Sequence, residues 1–522
     1  MIDTLRQTSG QATVKKRMFL LCFFAVNLLL ASFFIDTWCT PNPVSHALPV
    51  LTLVDSGTFR IDAYQNFTGD KSKVGAHYYS DKAPLPSLLA VPFYWLMQKT
   101  GLAKTTANTG KEEPIYIWSY VSQTDGRAFQ FPKIIPLLVM GGLIFSALPF
   151  AIMILLTLLK ILEVDGNISP VPLVMFSFYG SFVFVFSGTF FNHILTSFFL
   201  LLSYIFIKDR RYMLSGLLAG MSFACESPVA IVIPVWALVC WLNEKKLKCV
   251  FLFCIGAAPG VVFIMLYNYF ISGHPFTMIN AYSADRVFQN IHSGYGFSLP
   301  TLASLWGLSF SMYMGLLPHI PILLLCGYFL INEMIKRNPF KSFWKNYLVM
   351  FSVPFFLLIA SSFAWWGGWS YGPRYLMCLA FILLYEGIIY LSRKKVNMIA
   401  FLAFAGFGIL TTWLAKVTLM YMIPDGTSQN GPAPGGDSFS KFIIPQFKEG
   451  HFNASNILTL GFDVPASAAA YIWLMLFITV TLFFSFWYRR LYPKTIAIAK
   501  VTPLRKTTRQ SRPKANQKNN RK

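Results

Sequence analysis

Charge is what this chain has least of. Only 12% of its 522 residues are Asp, Glu, Lys or Arg, whereas a soluble globular protein carries roughly 25%. With 55% hydrophobic and 17% aromatic residues and a mean hydropathy of +0.53, that shortage excludes an ordinary soluble domain and leaves a polytopic membrane protein. No G-x-x-x-x-G-K-[ST] or G-x-G-x-x-G run occurs, so a nucleotide-driven mechanism has no support. The 8 cysteines form no C-x-x-C and no His/Cys cluster at zinc spacing. They read as small buried hydrophobes rather than metal ligands or a disulfide framework. Acidic residues are missing altogether from 489–522. That tail carries about a dozen Lys and Arg, reads as disordered, and suits contact with anionic headgroups.

What is present is a series of apolar segments separated by basic turns. The net charge of +23 comes from those turns and the tail, which is the positive-inside distribution rather than a nucleic-acid footprint. Lys15-Lys16-Arg17 precede a first span over 18–35, expected to be retained because no small-residue cleavage site precedes Asp36. Alternating the segments gives about twelve spans with both termini cytoplasmic. The expected organisation is all-α: a cytoplasmic N-terminus (1–17), a transmembrane domain (18–488) and the basic tail (489–522). The external loops are 36–133, 272–300, 364–375 and 422–466. The first is far longer than an ordinary connection, with short membrane-lying helices expected over 44–54 and 86–97. Residues 170–187 read as one span, and the segments 212–224 and 227–242 as a tight pair bent at Glu226.

The acidic residues favour that first loop: Asp36, Asp55, Asp62, Asp70, Asp81, Glu112, Glu113 and Asp125 all fall there. Carboxylates are groups able to accept a proton from a hydroxyl nucleophile, and Asp36, Asp62 and Asp81 are the candidate bases. Lys82 and Arg374 are outer-face cations at hydrophobic boundaries, against the charge bias, where a lipid phosphate would sit. Arg374 ends a Gly-Pro-Arg turn behind Trp365, Trp366 and Trp369, and its planar fork suits phosphate oxygens. Asn42, His46, His77, Tyr78, Tyr79, Glu226, Trp369 and Tyr371 are candidate substrate contacts, and Glu226, a carboxylate between short apolar segments, wants a partner. Plainer readings compete: Asp81-Lys82 also fits a surface ion pair, which stabilises little. Arg374 also fits a headgroup anchor, and His193 a packing residue. Paired carboxylates leave room for a divalent cation, though no ligand spacing demands one.

The layout resembles the C-type integral-membrane glycosyltransferases, nearest the branch of protein O-mannosyltransferases and the bacterial lipid A aminoarabinose transferase. In that branch a short first-loop helix ends in Ser-Gly, and an aromatic–acid–Lys–Pro-Pro run precedes "FYWL". Here Pro41-Asn42-Pro43-Val44-Ser45-His46 begins a similar run and Ser56-Gly57 ends it. Tyr79-Ser80-Asp81-Lys82-Ala83-Pro84 and Phe93-Tyr94-Trp95-Leu96 are similar to the later motif. The resemblance implies transfer of a sugar from a polyprenyl-phosphate donor to a hydroxyl acceptor, at the extracytoplasmic face of a bacterial inner membrane. It also implies membrane lipids as surroundings and no nucleic acid partner. One departure stands out: the family's catalytic Asp falls at Asn42, and an amide is no base near neutral pH. Either another carboxylate serves, or the chain is a silent member that binds the donor. A twelve-span transporter or lipid flippase is the rival of another class.

Overall fold

In hydrocarbon, every backbone N–H and C=O must be paired within the chain, which leaves helices as the spanning unit of a sequence like this. The computed structural model describes residues 2–102, 134–162, 164, 168–285, 296–336, 343–422 and 437–492, and it is built mainly of helices. Among the described residues, six helices are long and apolar enough to cross a membrane: Ile134–Ile161, Ser227–Glu244, Leu247–Ser272, Arg374–Leu391, Met398–Thr418 and Ala466–Leu491. They mark a membrane protein. Large apolar side chains stay exposed along Leu247–Ser272, among them Phe251, Ile255, Val262 and Leu266, as a lipid-facing surface requires. Expectations for the tail beyond 492 and for Glu112, Glu113 and Asp125 fall outside the described residues.

The N-terminal part positions the site. Helix α1 (Ile2–Ser32) leads to α2 (Pro41–Ser56), which begins with proline at its first position and ends on Gly57 at φ 65°, the usual start and stop chemistry. Helix α3 (Leu85–Thr100) carries its proline, Pro86, at the second position and has Gly101 as its left-handed cap. Most of α2 is buried, so it is a packed element rather than one lying free on a surface.

Between α2 and α3 the fold is not all-helical. Strands β1 (Lys71–Val74) and β2 (His77–Ser80) pair antiparallel, with Lys71 opposite Ser80 and Val74 opposite His77. Gly75, at φ 61°, occupies the first corner of the two-residue turn, where a hairpin needs a positive φ. Strands this short were not expected, because four residues show too little alternation to register as a pattern.

The expected span over 170–187 is also not one helix. Helix Pro170–Tyr179 stops at Gly180, a single turn runs Phe182–Val185, and Gly188 turns the chain at φ 79°. Such a break frees carbonyls that lipid cannot satisfy. Helix Met398–Thr418 satisfies them: Thr412 Oγ1 donates to the Tyr179 carbonyl at 2.7 Å, and Lys416 Nζ donates to Val185 at 2.7 Å and to Ser187. Thr412 and Lys416 are four residues apart and so share one helix face. Gly188 then lies against the end of the first helix, where its carbonyl accepts from Asp36 N–H at 3.0 Å. A Cβ at Gly188 would strike the Phe34 carbonyl.

Candidate functional site

The hairpin register determines the centre of the site. Continuing the pairing one residue past Lys71 and Ser80 sets Asp70 opposite Asp81, two like charges face to face. Lys82 resolves the conflict, its Nζ lying 2.8 Å from Asp70 Oδ2 and 3.0 Å from Asp81 Oδ1. The three side chains are 28%, 18% and 19% exposed for Asp70, Asp81 and Lys82, so the pair is neither sealed nor freely solvated. Helix α2 contributes Ser45, whose hydroxyl donates to the Asp70 carbonyl at 2.6 Å. The same hydroxyl lies 2.8 Å from Ser80 Oγ and 3.4 Å from Asp81 Oδ1.

The two carboxylates are not equivalent. Burial would raise Asp70, but Lys82 and then Arg374 outweigh it and hold that carboxyl below the usual range. Burial raises Asp81 and the neighbouring Asp70 charge adds to this, so Asp81 sits above the usual range despite Lys82. Burial would lower Lys82, and its two carboxylates reverse the shift upward. Asp81 is therefore the better proton acceptor of the pair, and Lys82 is a cation already spoken for.

Arg374 comes from the far end of the chain to this cluster. The Trp366-Gly367-Gly368-Trp369 loop wraps it, with Gly367 and Gly368 both at positive φ and backed onto its side chain. Its guanidinium lies 5.7 Å from the Phe191 ring centroid and 5.3 Å from that of Tyr375. It acts electrostatically on Asp70, while its Nε is buried without a hydrogen-bond partner. Lys82 and Arg374, 292 positions apart in sequence, thus bracket one carboxylate.

Beneath them lies a buried polar layer. His193, at the start of helix Asn192–Lys208, donates from Nδ1 to Glu226 Oε2 at 3.1 Å; these side chains are 4% and 8% exposed. Glu226 has an extended backbone between helix Tyr212–Cys225 and the next turn, and Asn192 Nδ2 donates to Cys225 O at 2.9 Å, clamping the two helix ends together. His46 on α2 is fully buried with neither ring nitrogen bonded. Burial, then the charges of Lys82 and His193, push its imidazole down to about 3, so it is neutral at pH 7. Asn42, at the foot of α2, has a buried Oδ1 with no donor.

The remaining candidates scatter. Asp36 is fully buried, its oxygens accepting from Trp38 N–H at 2.9 Å and Tyr421 O–H at 2.6 Å, with Lys416 as its electrostatic partner. Burial raises its carboxyl, against the pull of Tyr421, Trp38 and Lys416. Asp62 sits at the rim, 2.8 Å from His77 Nδ1 with both side chains about 40% exposed. Its slight burial is outweighed by the Tyr78 N–H and His77, which hold it below the usual range. Tyr78 carries Lys71 and Lys73 over its ring. Tyr79 turns the other way, into a small core with Tyr267 and Ile279. Tyr371 is buried edge-on to His319 at 4.8 Å and close to Phe439, and Trp369 is half-buried against the main core.

The sequence marks Lys82, Arg374, Asp81, His46 and Glu226 as candidates, which the fold gathers; it gives Asp70 only as one acid of the first loop, His193 as a packing residue, and Lys416 no role. The signals were present: Asp70 and Asp81 flank a Gly-containing turn symmetrically, and Lys416 is an ionisable residue within a span. Among the described residues no three His, Cys, Asp or Glu side chains converge as a metal site requires. No family model matches the chain, and no curated protein or solved structure matches it either.

Proposed function

We propose that the protein is a membrane glycosyltransferase of C-type layout. It moves a sugar from a polyprenyl-phosphate donor to a hydroxyl acceptor at the extracytoplasmic face of a bacterial inner membrane. The observation that carries this reading is the Asp70–Lys82–Asp81 triad beside Arg374: a carboxylate of raised proton affinity next to two cations. The reading of about twelve spans counts α1 and the five shorter apolar helices together with the six long ones.

The triad supports a specific sequence of charges. The acceptor oxygen attacks the anomeric carbon and its proton passes to Asp81. The bond from that carbon to the phosphate oxygen breaks, and its electron pair leaves on the lipid phosphate, which gains a negative charge. Protonation of Asp81 removes one of the two charges held by Lys82 as the new phosphate charge appears. Lys82 is thus released from a carboxylate toward the leaving group, and Arg374 adds to the electrostatic stabilisation that dominates such transfers. Asp36, sealed and doubly bonded, and Asp62, with lowered proton affinity, suit the role of base less well.

The test is transfer of radiolabelled sugar from a panel of polyprenyl-phosphate sugars by purified protein in nanodiscs. Asp81→Asn should reduce transfer by roughly 10²-fold or more, with Asp62→Asn near wild type. Tight donor binding without release of lipid phosphate by wild type would refute the enzyme and favour a silent or transporting protein. The transport reading draws on one feature, the broken helix at Gly180 with buried Lys416 inside the bundle, since transporters place ion and substrate sites at such breaks. Here Lys416 itself takes up the Val185 and Ser187 carbonyls, which leaves them less free for an ion.

A further inference from the structure

We propose that His193, oriented by Glu226, is the acid that protonates the departing phosphate oxygen, working beside Arg374 on the same oxyanion. This rests on the glycosyl-transfer reading above. His193 and Arg374 share an aromatic wall: the imidazole stacks on Phe191 at 5.8 Å and 21° and meets Tyr375 edge-on at 6.0 Å. The guanidinium lies over the same two rings, at 5.7 and 5.3 Å. On that wall each carries a buried nitrogen with no partner, Nε2 of His193 and Nε of Arg374. A buried polar nitrogen without a partner costs about 1–3 kcal/mol; with a proton on Nε2, the two nitrogens on this shared wall are both satisfied by a ligand with several lone pairs and negative charge, which describes a phosphate.

Glu226 sets the chemistry of the imidazole. Its carboxylate can only accept, so the Nδ1 proton is held at 3.1 Å and any proton that moves is on Nε2. The neighbouring His46 is neutral and therefore does not compete as a cation. In the step itself the bond from the anomeric carbon to the phosphate oxygen breaks and its electron pair stays on that oxygen. The proton on Nε2 passes to the same oxygen, and His193 keeps the Nδ1 proton that faces Glu226. The acceptor's proton is meanwhile on Asp81. Asp81 then releases a proton to water and His193 takes one up, so the net transfer is from acceptor hydroxyl to phosphate. Two carboxyl-linked proton sites, one on the hairpin and one at the helix junction, thus serve the two ends of the reaction.

The test uses the full-length protein in nanodiscs with the same donor panel, comparing wild type, His193→Gln, His193→Ala and Arg374→Ala, each checked for a monodisperse size-exclusion profile. His193→Gln should lower kcat by roughly 10²-fold while the KM for donor stays within about threefold, since the loss falls on the transition state. Free imidazole should restore the kcat of His193→Ala by about tenfold or more and leave Arg374→Ala unchanged, a rescue that a packing role does not produce. A His193→Gln enzyme turning over within about threefold of wild type overturns the inference alone, as does a fall without imidazole rescue. Absence of lipid-phosphate release by wild type with every donor overturns the glycosyl-transfer reading, and this inference with it.

Discussion

Replacing Lys82 with Met tests the centre of the site by its electrostatics. The change removes the one ammonium between Asp70 and Asp81, at 2.8 and 3.0 Å, and keeps most of the side-chain volume. Breaking a fully buried pair costs about 3–5 kcal/mol, and an exposed pair contributes only about 0.2–1. With exposures between 18% and 28%, roughly 2 kcal/mol of unfolding free energy should be lost at pH 7. The pH dependence identifies the cause. In the wild type Asp70 is held below the carboxylate range and Asp81 above it, so their linkage contributions have opposite sign. Asp70 stabilises the fold above its unfolded value and loses this as pH falls through the folded one; Asp81 carries a penalty that grows as pH rises. Without Lys82 both carboxyls shift upward, because two like charges then share the site. The folded state of the variant binds protons more tightly than the unfolded chain, and its stability falls as pH rises through the carboxylate range. The deficit should therefore be largest at pH 7 and shrink to under about 1 kcal/mol near pH 4, where one carboxyl is neutral. Asp70→Asn in the Lys82→Met background should recover much of the loss at pH 7. Unfolding in mixed detergent–SDS micelles at the two pH values measures this. An equal deficit at both, or no recovery in the double variant, would mean that Lys82 acts by packing.

Three further outcomes follow from the same contacts. Lys416→Met strips the Val185 and Ser187 carbonyls of their donor and leaves Asp36 without its cation; it should lower stability by roughly 1–3 kcal/mol, partly recovered by adding Asp36→Asn, as read in the same unfolding assay. Gly188→Ala places a Cβ against the Phe34 carbonyl at a positive φ and should cost roughly 1–3 kcal/mol through the seat of the broken helix. Arg374→Lys keeps the charge but loses the planar fork. Transfer should fall at least about tenfold with the melting temperature unchanged, and full transfer by that variant would remove Arg374 from the phosphate site.

Much of this protein is determined by local composition. Apolar runs long enough to span, with basic turns between them, specify a helical membrane chain because lipid leaves the backbone no alternative. The short helices expected over 44–54 and 86–97 are present as α2 and α3, which run further at their ends, to where proline and glycine capping stops them. Lys82 and Arg374 stand out in the sequence because each falls in a segment expected to lie outside, against the positive-inside bias. What the sequence could not supply is which charges meet. Asp70 becomes a partner of Lys82 only through the register of a hairpin too short to announce itself. His193 ceases to be a packing residue only when the turn after Cys225 brings Glu226 to its ring. Lys416 is tolerable in a span only because another helix breaks beside it and offers its carbonyls. Segment identity depends on the transfer of each stretch into lipid, which neighbours in sequence decide; pairing of buried polar groups depends on distances of a few ångströms, which tertiary packing alone decides.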